Sequence, residues 1–168
     1  TAYMAVKDKG GNAVSLIQSN FYGIGSTIGV SDYGFFLHNR GAGFNLIENH
    51  PNKIAPLRKP LHTLSPTIWS KDGKLDMVIG TRGGRYQPQL LSQFILPLLL
   101  ESSSLEQVMK KSRWTIDYFD EHTESHLIFE PGTDKAIIKD LEQKGHNIKI
   151  EKSMQGSYGP ISAICKDN

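Results

Sequence analysis

The order of β-like and helical segments constrains the fold of this chain more than any other feature of its sequence. The first 40 residues contain four short β-like segments, and the first two, residues 2–8 and 13–20, flank the turn sequence KGGN. The next two, GSTIGV and FFLHN, flank the turn SDYG, so the sequence predicts a meander of four strands. A second hairpin is predicted where PTIWS and KLDMVIG flank KDGK, because an Asp-Gly pair favours a tight turn.

Helical patterns follow the hairpins. Pro88 lies near the start of a helical run that extends to Ser102, since proline is tolerated in a first turn. A second helix is predicted to begin at Ser104, which together with Gln107 has the spacing of a capping box. After it, WTIDYF and HLIFE are typical of strands, TDKAIIKDLEQK of an amphipathic helix ended by Gly145, and NIKIE and ISAIC of closing strands. This order predicts one domain of mixed helices and strands with a largely antiparallel sheet.

Composition excludes several classes of protein. With 168 residues, of which 38% are hydrophobic, the chain is long enough to bury the core of one domain. Its 19 basic and 17 acidic residues leave a formal charge of +2, too small to attract nucleic acid or an anionic membrane. The run LLSQFILPLLL is too short for a membrane span and is interrupted by Pro97. Cys165 is the only cysteine in the sequence, which excludes an internal disulfide, and its apolar neighbours favour a place in the core.

Two further patterns are assigned to ordinary structure. GIGSTIG resembles a nucleotide-binding loop, but its third glycine comes one position late and no Rossmann-type unit surrounds it. His122 and His126 have a spacing that can bind metal on a helix, but their turn-like neighbours favour an exposed polar loop. We therefore expect neither a metal nor another cofactor. Residues 40–60 are predicted to form a long surface loop, a kind that is uncommon without a function.

Thr1 offers two groups that acyl transfer requires. A threonine at a free N-terminus carries a hydroxyl that can attack a carbonyl and an α-amine that can accept the hydroxyl proton. An α-amine ordinarily titrates at about pH 7.7–8.0, well below a lysine, so part of it is an unprotonated base near neutral pH. The alternative is that Thr1 only marks a boundary of the sequence or follows a removed Met.

The segment TRGGR is the second candidate for chemistry. Backbone N–H groups that are fixed before reaction stabilise the negative oxygen of an acyl-transfer intermediate. Gly83 and Gly84 lie between a predicted strand and a predicted helix, where a tight turn can present such groups without a Cβ in the way. The alternatives are an ordinary Gly-Gly turn and an isolated RGG element of an RNA-binding protein.

Several motifs together resemble one enzyme family. TAYMAVKDKGGNAVSLIQS is similar to the start of the small subunit of γ-glutamyltransferases, and GFFLHNRGAGF, KPLHTLSPT and GTRGGRYQPQ continue the likeness in the family's order. The resemblance implies an α+β fold, the four-layer α-β-β-α sandwich of N-terminal nucleophile (Ntn) hydrolases, completed by a separate large subunit. It also implies that residues 1–168 form a single domain, the small subunit of a self-cleaved heterodimer.

The resemblance assigns catalytic roles to matching positions. Thr1 would be the nucleophile, with its own amine as general base, and its hydroxyl would also cleave the precursor. Ser19 falls where the family has a hydroxyl that supports the nucleophile. Gly83 and Gly84 fall on the pair that binds the oxyanion.

Positions that bind the substrate depart from the family pattern. His62 and Thr63 occupy the place of two serines that hold the α-carboxylate of a glutamyl group, and only Thr63 keeps a hydroxyl. The family holds the substrate's α-amino group with amide and carboxylate side chains. At those positions this sequence has Phe21, Arg40 and Gly43.

These departures predict a different acyl group. Arginine repels an ammonium group and attracts a carboxylate. We therefore expect an acyl group with an additional carboxylate and no obligatory α-amine, such as a glutaryl or polyglutamyl chain, anchored by Arg40, Arg82 or Arg85. For each arginine the alternative is a solvated or intersubunit ion pair.

The resemblance implies an amide hydrolase or acyltransferase that acts on γ-glutamyl compounds such as glutathione. Hydrolysis is favoured over transfer, because no acceptor-specific feature is visible. Two alternatives remain: a glutaryl or cephalosporin-type acylase or polyglutamate hydrolase on the same scaffold, and a non-catalytic binding subunit. The expected partners are a large subunit from the same precursor and a small acyl substrate, without nucleic acid. We expect a cytoplasmic location and leave a periplasmic or secreted one open.

Overall fold

The computed structural model describes residues 1–117, 124–154 and 158–165. Its helices are α1 (Gln87–Leu100), α2 (Leu105–Lys110) and α3 (Lys135–Gln143), and short 3-10 turns lie at Arg40–Gly43 and Gly84–Tyr86. The strands are β1 (Ala2–Lys7), β2 (Ala13–Gln18), β3 (Gly29–Val30), β4 (Phe35–Phe36), β5 (Thr67–Lys71), β6 (Lys74–Thr81), β7 (Trp114–Asp117), β8 (His126–Phe129), β9 (Asn147–Ile150) and β10 (Ile161–Cys165). Among these strands, all pairs are antiparallel except β8 with β9, so the largely antiparallel character is confirmed.

The first predicted hairpin is confirmed. β1 and β2 pair antiparallel over their whole length, beginning with Ala2 opposite Gln18. The Asp8 carboxylate closes the turn, because it accepts hydrogen bonds from the backbone N–H (2.9 Å) and the side-chain amide (2.7 Å) of Asn12. The hairpin therefore places residue 1 beside the residues that follow β2.

The predicted four-stranded meander is wrong. β3 and β4 are only two residues long each, and they pair with each other alone among the described strands. The segment before them is bound instead to Asn39, whose side chain accepts from the Tyr22 N–H (2.9 Å) and donates to the carbonyls of Tyr22 (3.1 Å) and Gly25 (3.0 Å). Such side-chain bonds satisfy the backbone without a sheet ladder, and so the strands stay short.

β6 is the central strand of a sheet with the order β10-β6-β5. Its side chains alternate between the two faces of the sheet. Met77 and Ile79 belong to the hydrophobic core on the helical side. On the other face the Tyr3 ring of the hairpin covers Gly80, where an added Cβ would lie 2.2 Å from the ring. Only glycine lets the hairpin come this close.

The main hydrophobic core lies between this sheet and the helices. Its buried members are Met77, Ile79, Leu91, Phe94, Ile95, Val108 and Ile161. Cys165 packs against this core and is partly buried, as its apolar neighbours predict. Helices α1 and α2, the three-stranded sheet and the β1–β2 hairpin thus form three layers. The outer hairpin face, which consists of Met4, Val6, Val14 and Leu16, is exposed.

The predicted helices are confirmed, with ends that differ by one or two residues. α2 begins with the predicted capping box: the Ser104 hydroxyl accepts from the Gln107 N–H (3.2 Å), and the Gln107 side chain accepts from the Ser104 N–H (2.7 Å). α3 begins after Asp134, whose carboxylate accepts from the Ala136 N–H (2.8 Å). Gly145 follows α3 with a φ of +86°, a conformation that favours glycine.

A second three-stranded sheet, with the order β7-β8-β9, lies beside α1. The crossover from β8 through α3 to β9 makes the parallel pair. The predicted exposed polar loop is wrong for His126, which is half-buried at the start of β8, and His122 lies outside the described residues. Within residues 1–117, 124–154 and 158–165, no helix is long and apolar enough to cross a membrane.

Candidate active site

Thr1 and Ser19 form a pair of hydroxyl groups. Their Oγ atoms lie 2.8 Å apart, because the antiparallel register of β1 and β2 brings residue 1 beside residue 19. The Ser19 hydroxyl also accepts a hydrogen bond from the Phe21 N–H (3.2 Å). Phe21 adopts a φ of +80°, which is uncommon for a residue with a side chain. The chain therefore turns sharply after Ser19 and holds its hydroxyl toward Thr1.

The Gly83–Gly84 turn connects β6 to α1. Gly83 has a φ of +142° and Gly84 a φ of +54°. The turn is fixed by the Tyr86 N–H, which donates to the Gly83 carbonyl (3.0 Å), and by the buried Thr81 hydroxyl, which donates to the Arg82 carbonyl (2.9 Å). Its backbone atoms are therefore held in place before any ligand binds.

Both features line one cavity of about 520 Å³. Its described lining residues are Thr1, Ser19, Phe21, Tyr22, Ala42, Gly43, Phe44, Asn45, His50, Asn52, Leu61, Thr63, Gly83, Gly84, Arg85 and Tyr86. The four residues that the sequence suggests for catalysis, Thr1, Ser19, Gly83 and Gly84, thus come together here. Their chemical roles stay predictions.

The predicted binding residues divide into three groups. Thr63 and Arg85 line the cavity. Arg40 lies behind the wall, where its guanidinium donates to the Thr63 hydroxyl (3.1 Å) and the Ser19 carbonyl (3.4 Å) and stacks on the Phe21 ring at 5.0 Å. Arg40 therefore supports the wall from behind.

His62 and Arg82 lie elsewhere. Both side chains are exposed, and neither is among the described residues that line the cavity. Arg82 packs against Gly159, where an added Cβ would lie 2.0 Å from the Arg82 side chain. Their role in substrate binding stays a prediction.

The loop over residues 40–60 supplies much of the cavity wall. The sequence predicts this loop and its functional importance, but it does not identify the lining side chains Asn45, His50 and Asn52. The only signal for them is a cluster of polar residues in a segment without periodicity. No Asp or Glu occurs among the described lining residues.

Tyr86 lines the cavity, and Gln87 follows it in the chain. The sequence does not predict a role for either residue. Burial raises the pKa of Tyr86 well above its usual range, and the hydrogen bond to Asp117 and the negative charge of Asp117 add to the effect, so the phenol stays a proton donor.

Gln87 is fully buried, and its side-chain oxygen accepts from the Ser65 N–H (2.9 Å). This bond ties the segment that carries Thr63 to the start of α1. In the described part of the chain, the Gln87 amide nitrogen has no hydrogen-bond partner.

Comparison with known proteins decides the family. The family model described as Gamma-glutamyltranspeptidase matches residues 1–168. The chain belongs to the gamma-glutamyltranspeptidase family. The sequence resemblance to this family and the enzyme class of its members, the Ntn hydrolases, are therefore confirmed.

Gamma-glutamyltranspeptidase relatives are similar over nearly the whole chain. The glutathione hydrolase-like YwrD proenzyme of Bacillus subtilis is 38% identical over 99% of this chain and 32% of its own length. The oxamate amidohydrolase proenzyme of Klebsiella pneumoniae is 32% identical over 99% of this chain and 31% of its own length. The chain thus spans about a third of the length of these proenzymes.

Solved structures confirm the α+β fold of this family. Cephalosporin acylase from Bacillus halodurans superposes with a TM-score of 0.85 at 30% identity, over 98% of this chain and 30% of that one. A Helicobacter pylori gamma-glutamyltranspeptidase variant superposes with a TM-score of 0.81 at 24% identity, over 98% of this chain and 90% of that one. The three layers described above are consistent with the sandwich of Ntn hydrolases.

Proposed function

We propose that this chain is the catalytic part of an Ntn amidohydrolase in which cleavage of a precursor makes Thr1 N-terminal. The observation that carries the proposal is that the Thr1–Ser19 hydroxyl pair and the Gly83–Gly84 turn line the same cavity. The proenzyme names of the relatives support a cleavage step.

The geometry supports acyl transfer in two halves. The Thr1 Oγ1 attacks the amide carbon of the substrate while its proton passes to the Thr1 amine, and the new oxyanion accepts hydrogen bonds from backbone N–H groups of Gly83 and Gly84. The carbon–nitrogen bond then breaks, and the leaving amine takes the proton from the Thr1 ammonium group. In the second half water attacks the ester, which releases a carboxylic acid and restores the hydroxyl. Ser19 orients the nucleophile throughout.

Precursor cleavage would use the same hydroxyl. Thr1 Oγ1 attacks the carbonyl of the residue that precedes it, and the peptide bond is exchanged for an ester. Water then hydrolyses the ester and leaves a free α-amine on Thr1. One residue thus serves both maturation and turnover.

We further propose that the preferred acyl group bears an additional carboxylate and no obligatory α-amine. Arg85 lines the cavity, whereas no described lining residue is an Asp or Glu that could pair with an ammonium group. Oxamate, which the Klebsiella relative's name gives as its substrate, is an amide whose acyl group carries a carboxylate and no amine. A second candidate is hydrolysis of γ-glutamyl compounds such as glutathione, favoured by the name of the Bacillus subtilis relative.

Two assays test the proposal on the full-length precursor. Thr1→Ala is expected to leave the precursor uncleaved and inactive, whereas Thr1→Ser, which keeps a hydroxyl, is expected to retain cleavage and activity. N-terminal sequencing and electrophoresis measure cleavage. If the Thr1→Ala precursor were cleaved and hydrolysed amides at the wild-type rate, the assignment of Thr1 as the nucleophile would be refuted.

The substrate class is tested with matched anilides. The wild-type enzyme is expected to hydrolyse glutaryl anilide with a higher kcat/KM than γ-glutamyl anilide, since these substrates differ only in the α-amine. A clear preference for the γ-glutamyl compound would favour the second candidate instead.

We also propose that the remainder of the precursor covers the outer hairpin face. Four apolar side chains, Met4, Val6, Val14 and Leu16, stand exposed on adjacent strands of this face. A contiguous apolar surface of this kind marks an interaction site. The proenzyme relatives, about three times as long as this chain, have the additional sequence to cover it.

A further inference from the structure

The part of the loop that faces the cavity is a closed and internally bonded unit. The Asn45 N–H donates to the Asn52 carbonyl (2.8 Å), and the Ile54 N–H donates to the Asn45 carbonyl (3.0 Å). The Asn52 side-chain amide also donates to the Gly43 carbonyl. Residues 43–54 therefore present their side chains from a fixed backbone.

His50 is held at three of its polar atoms. Its backbone N–H donates to the Ile47 carbonyl (3.3 Å), and its carbonyl accepts from the Lys53 N–H (2.9 Å). Its ring atom Nδ1 accepts from the Asn52 N–H (3.0 Å). Because Nδ1 is an acceptor, the proton of the neutral ring lies on Nε2. The ring thus has one remaining hydrogen-bonding group, the Nε2–H donor, in a half-buried side chain that lines the cavity.

We propose that the His50 Nε2–H binds the distal carboxylate of the acyl group. The inference rests on the proposed function and names a second element of substrate recognition, beside Arg85. The two donors share a cavity in which the described residues contribute no carboxylate. A donor fixed by its own loop loses little freedom on binding, which makes the contact favourable for an anion.

Two substitutions separate this role from a structural one. Asn at position 50 can place its oxygen near the position of Nδ1 and keep the bond from Asn52, but it has no group at the position of Nε2. Gln can place its amide nitrogen near the position of Nε2, but it loses the acceptor for Asn52. His50→Asn therefore removes only the cavity donor, and His50→Gln removes only the internal bond.

The proposal predicts opposite effects for the two variants of the full-length enzyme. For glutaryl anilide, His50→Asn is expected to raise KM by about tenfold to a hundredfold with kcat little changed and Tm unaltered. His50→Gln is expected to keep KM within about threefold of wild type and to lower Tm. Valeryl anilide, which lacks the distal carboxylate, is the control substrate, and His50→Asn should not change its KM. The reverse pattern, with His50→Gln impaired and His50→Asn like wild type, would overturn the proposal.

Glutarate binding separates this inference from the proposed reaction. Calorimetry with glutarate requires no catalysis, and the affinity of the wild-type enzyme is expected to fall by about tenfold or more in His50→Asn. Equal affinity in both proteins, or no binding to wild type, would refute the role of His50. A wild-type enzyme that binds glutarate but hydrolyses neither glutaryl nor γ-glutamyl anilide would refute the proposed function and leave the His50 contact standing.

Discussion

At the level of single residues, the candidate site uses backbone geometry that side chains would disturb. Gly83 has a φ of +142°, and an added Cβ would lie 3.1 Å from the Leu90 side chain and 3.3 Å from the Cβ of Tyr158. Gly84, with a φ of +54°, is also in a region that favours glycine. The backbone conformation therefore requires glycine at both positions, and at Gly83 a side chain would also lack space.

Gly83→Ala is expected to lower kcat by about a hundredfold to a thousandfold. The methyl group would rotate or displace the turn, and loss of the proposed oxyanion donor would have an effect of this size. Steady-state kinetics on the matured enzyme measure it. Gly29→Ala is the control, because Gly29 lies in β3 without a positive φ and its added Cβ would meet nothing closer than 3.6 Å. A Gly83→Ala enzyme with wild-type kcat would rule out a role for this turn.

The reactivity of Cys165 gives a prediction on pH. Burial raises the pKa of the Cys165 thiol, and the nearby Asp76 carboxylate adds to the effect. Since the thiolate is the nucleophile, iodoacetamide is expected to alkylate Cys165 more slowly at pH 8.5 in the folded protein than in urea, as followed by mass spectrometry. The thiol stays protonated to a higher pH in the folded protein than in the unfolded one. Its contribution to the free energy of unfolding is therefore fully present below the thiol's ordinary pKa of about 8.5 and falls as pH rises above that value. Equal alkylation rates in both states would contradict the raised pKa.

At the level of secondary-structure elements, a buried ion pair joins three segments of the chain. Arg113, before β7, donates to the Glu130 carboxylate through Nε (2.9 Å) and Nη2 (2.6 Å), and through Nη1 to the Gly159 carbonyl (2.9 Å). The Glu130 side chain is fully buried. This arrangement links the ends of β7 and β8 to the segment that enters β10.

Glu130→Gln is expected to destabilise the protein by about 3–5 kcal/mol, because it leaves the buried Arg113 charge without its counterion. Thermal unfolding of the full-length enzyme, followed by calorimetry, measures the change as a lower Tm. The matched control is Glu106→Gln, which breaks the exposed Lys110–Glu106 pair and should change stability by less than about 1 kcal/mol. Similar shifts in Tm for both variants would show that the buried ion pair contributes no more to stability than the exposed one.

At the level of the whole molecule, the layers explain how distant segments meet. Helices pack on one face of β6 and the β1–β2 hairpin on the other, and the contact of Tyr3 with Gly80 sets the distance between hairpin and sheet. Thr1 stands at the end of that hairpin, and the Gly83–Gly84 turn stands at the end of β6. The packing of these two β layers thus brings Thr1 and the Gly83–Gly84 turn to the same cavity, at the ends of the strands.

Leu16→Glu is expected to weaken association with the remainder of the precursor, because it places a charge on the outer hairpin face. Size-exclusion chromatography followed by electrophoresis would show less of the proposed complex between this chain and the remainder of the precursor. Ile137→Glu is the control, since Ile137 is also exposed, at 52%, but lies on α3 away from the hairpin. Normal assembly of Leu16→Glu would argue that the partner lies on another surface.

Much of the local structure could be predicted from sequence. The β1–β2 turn, the Ser104 capping box and the glycine that ends α3 all depend on bonds or conformations within a few residues, which a short pattern encodes. A short sequence pattern could not show whether the first four strands pair as one meander. Its competitor is the Asn39 side chain, which binds a segment 14 to 17 residues away.

The sequence by itself determined the alternation of strands and helices, the family motifs and the residues worth considering for catalysis, because each of these depends on residues that are close together in the chain. Only the tertiary structure decided which of those residues share a cavity: it placed Arg85 and Thr63 on the wall, Arg40 behind it, and His62 and Arg82 outside. It also brought His50 to the wall, on a loop without a periodic pattern. The physical reason is that a cavity forms where segments far apart in sequence pack against one another, and side-chain direction there follows from that packing.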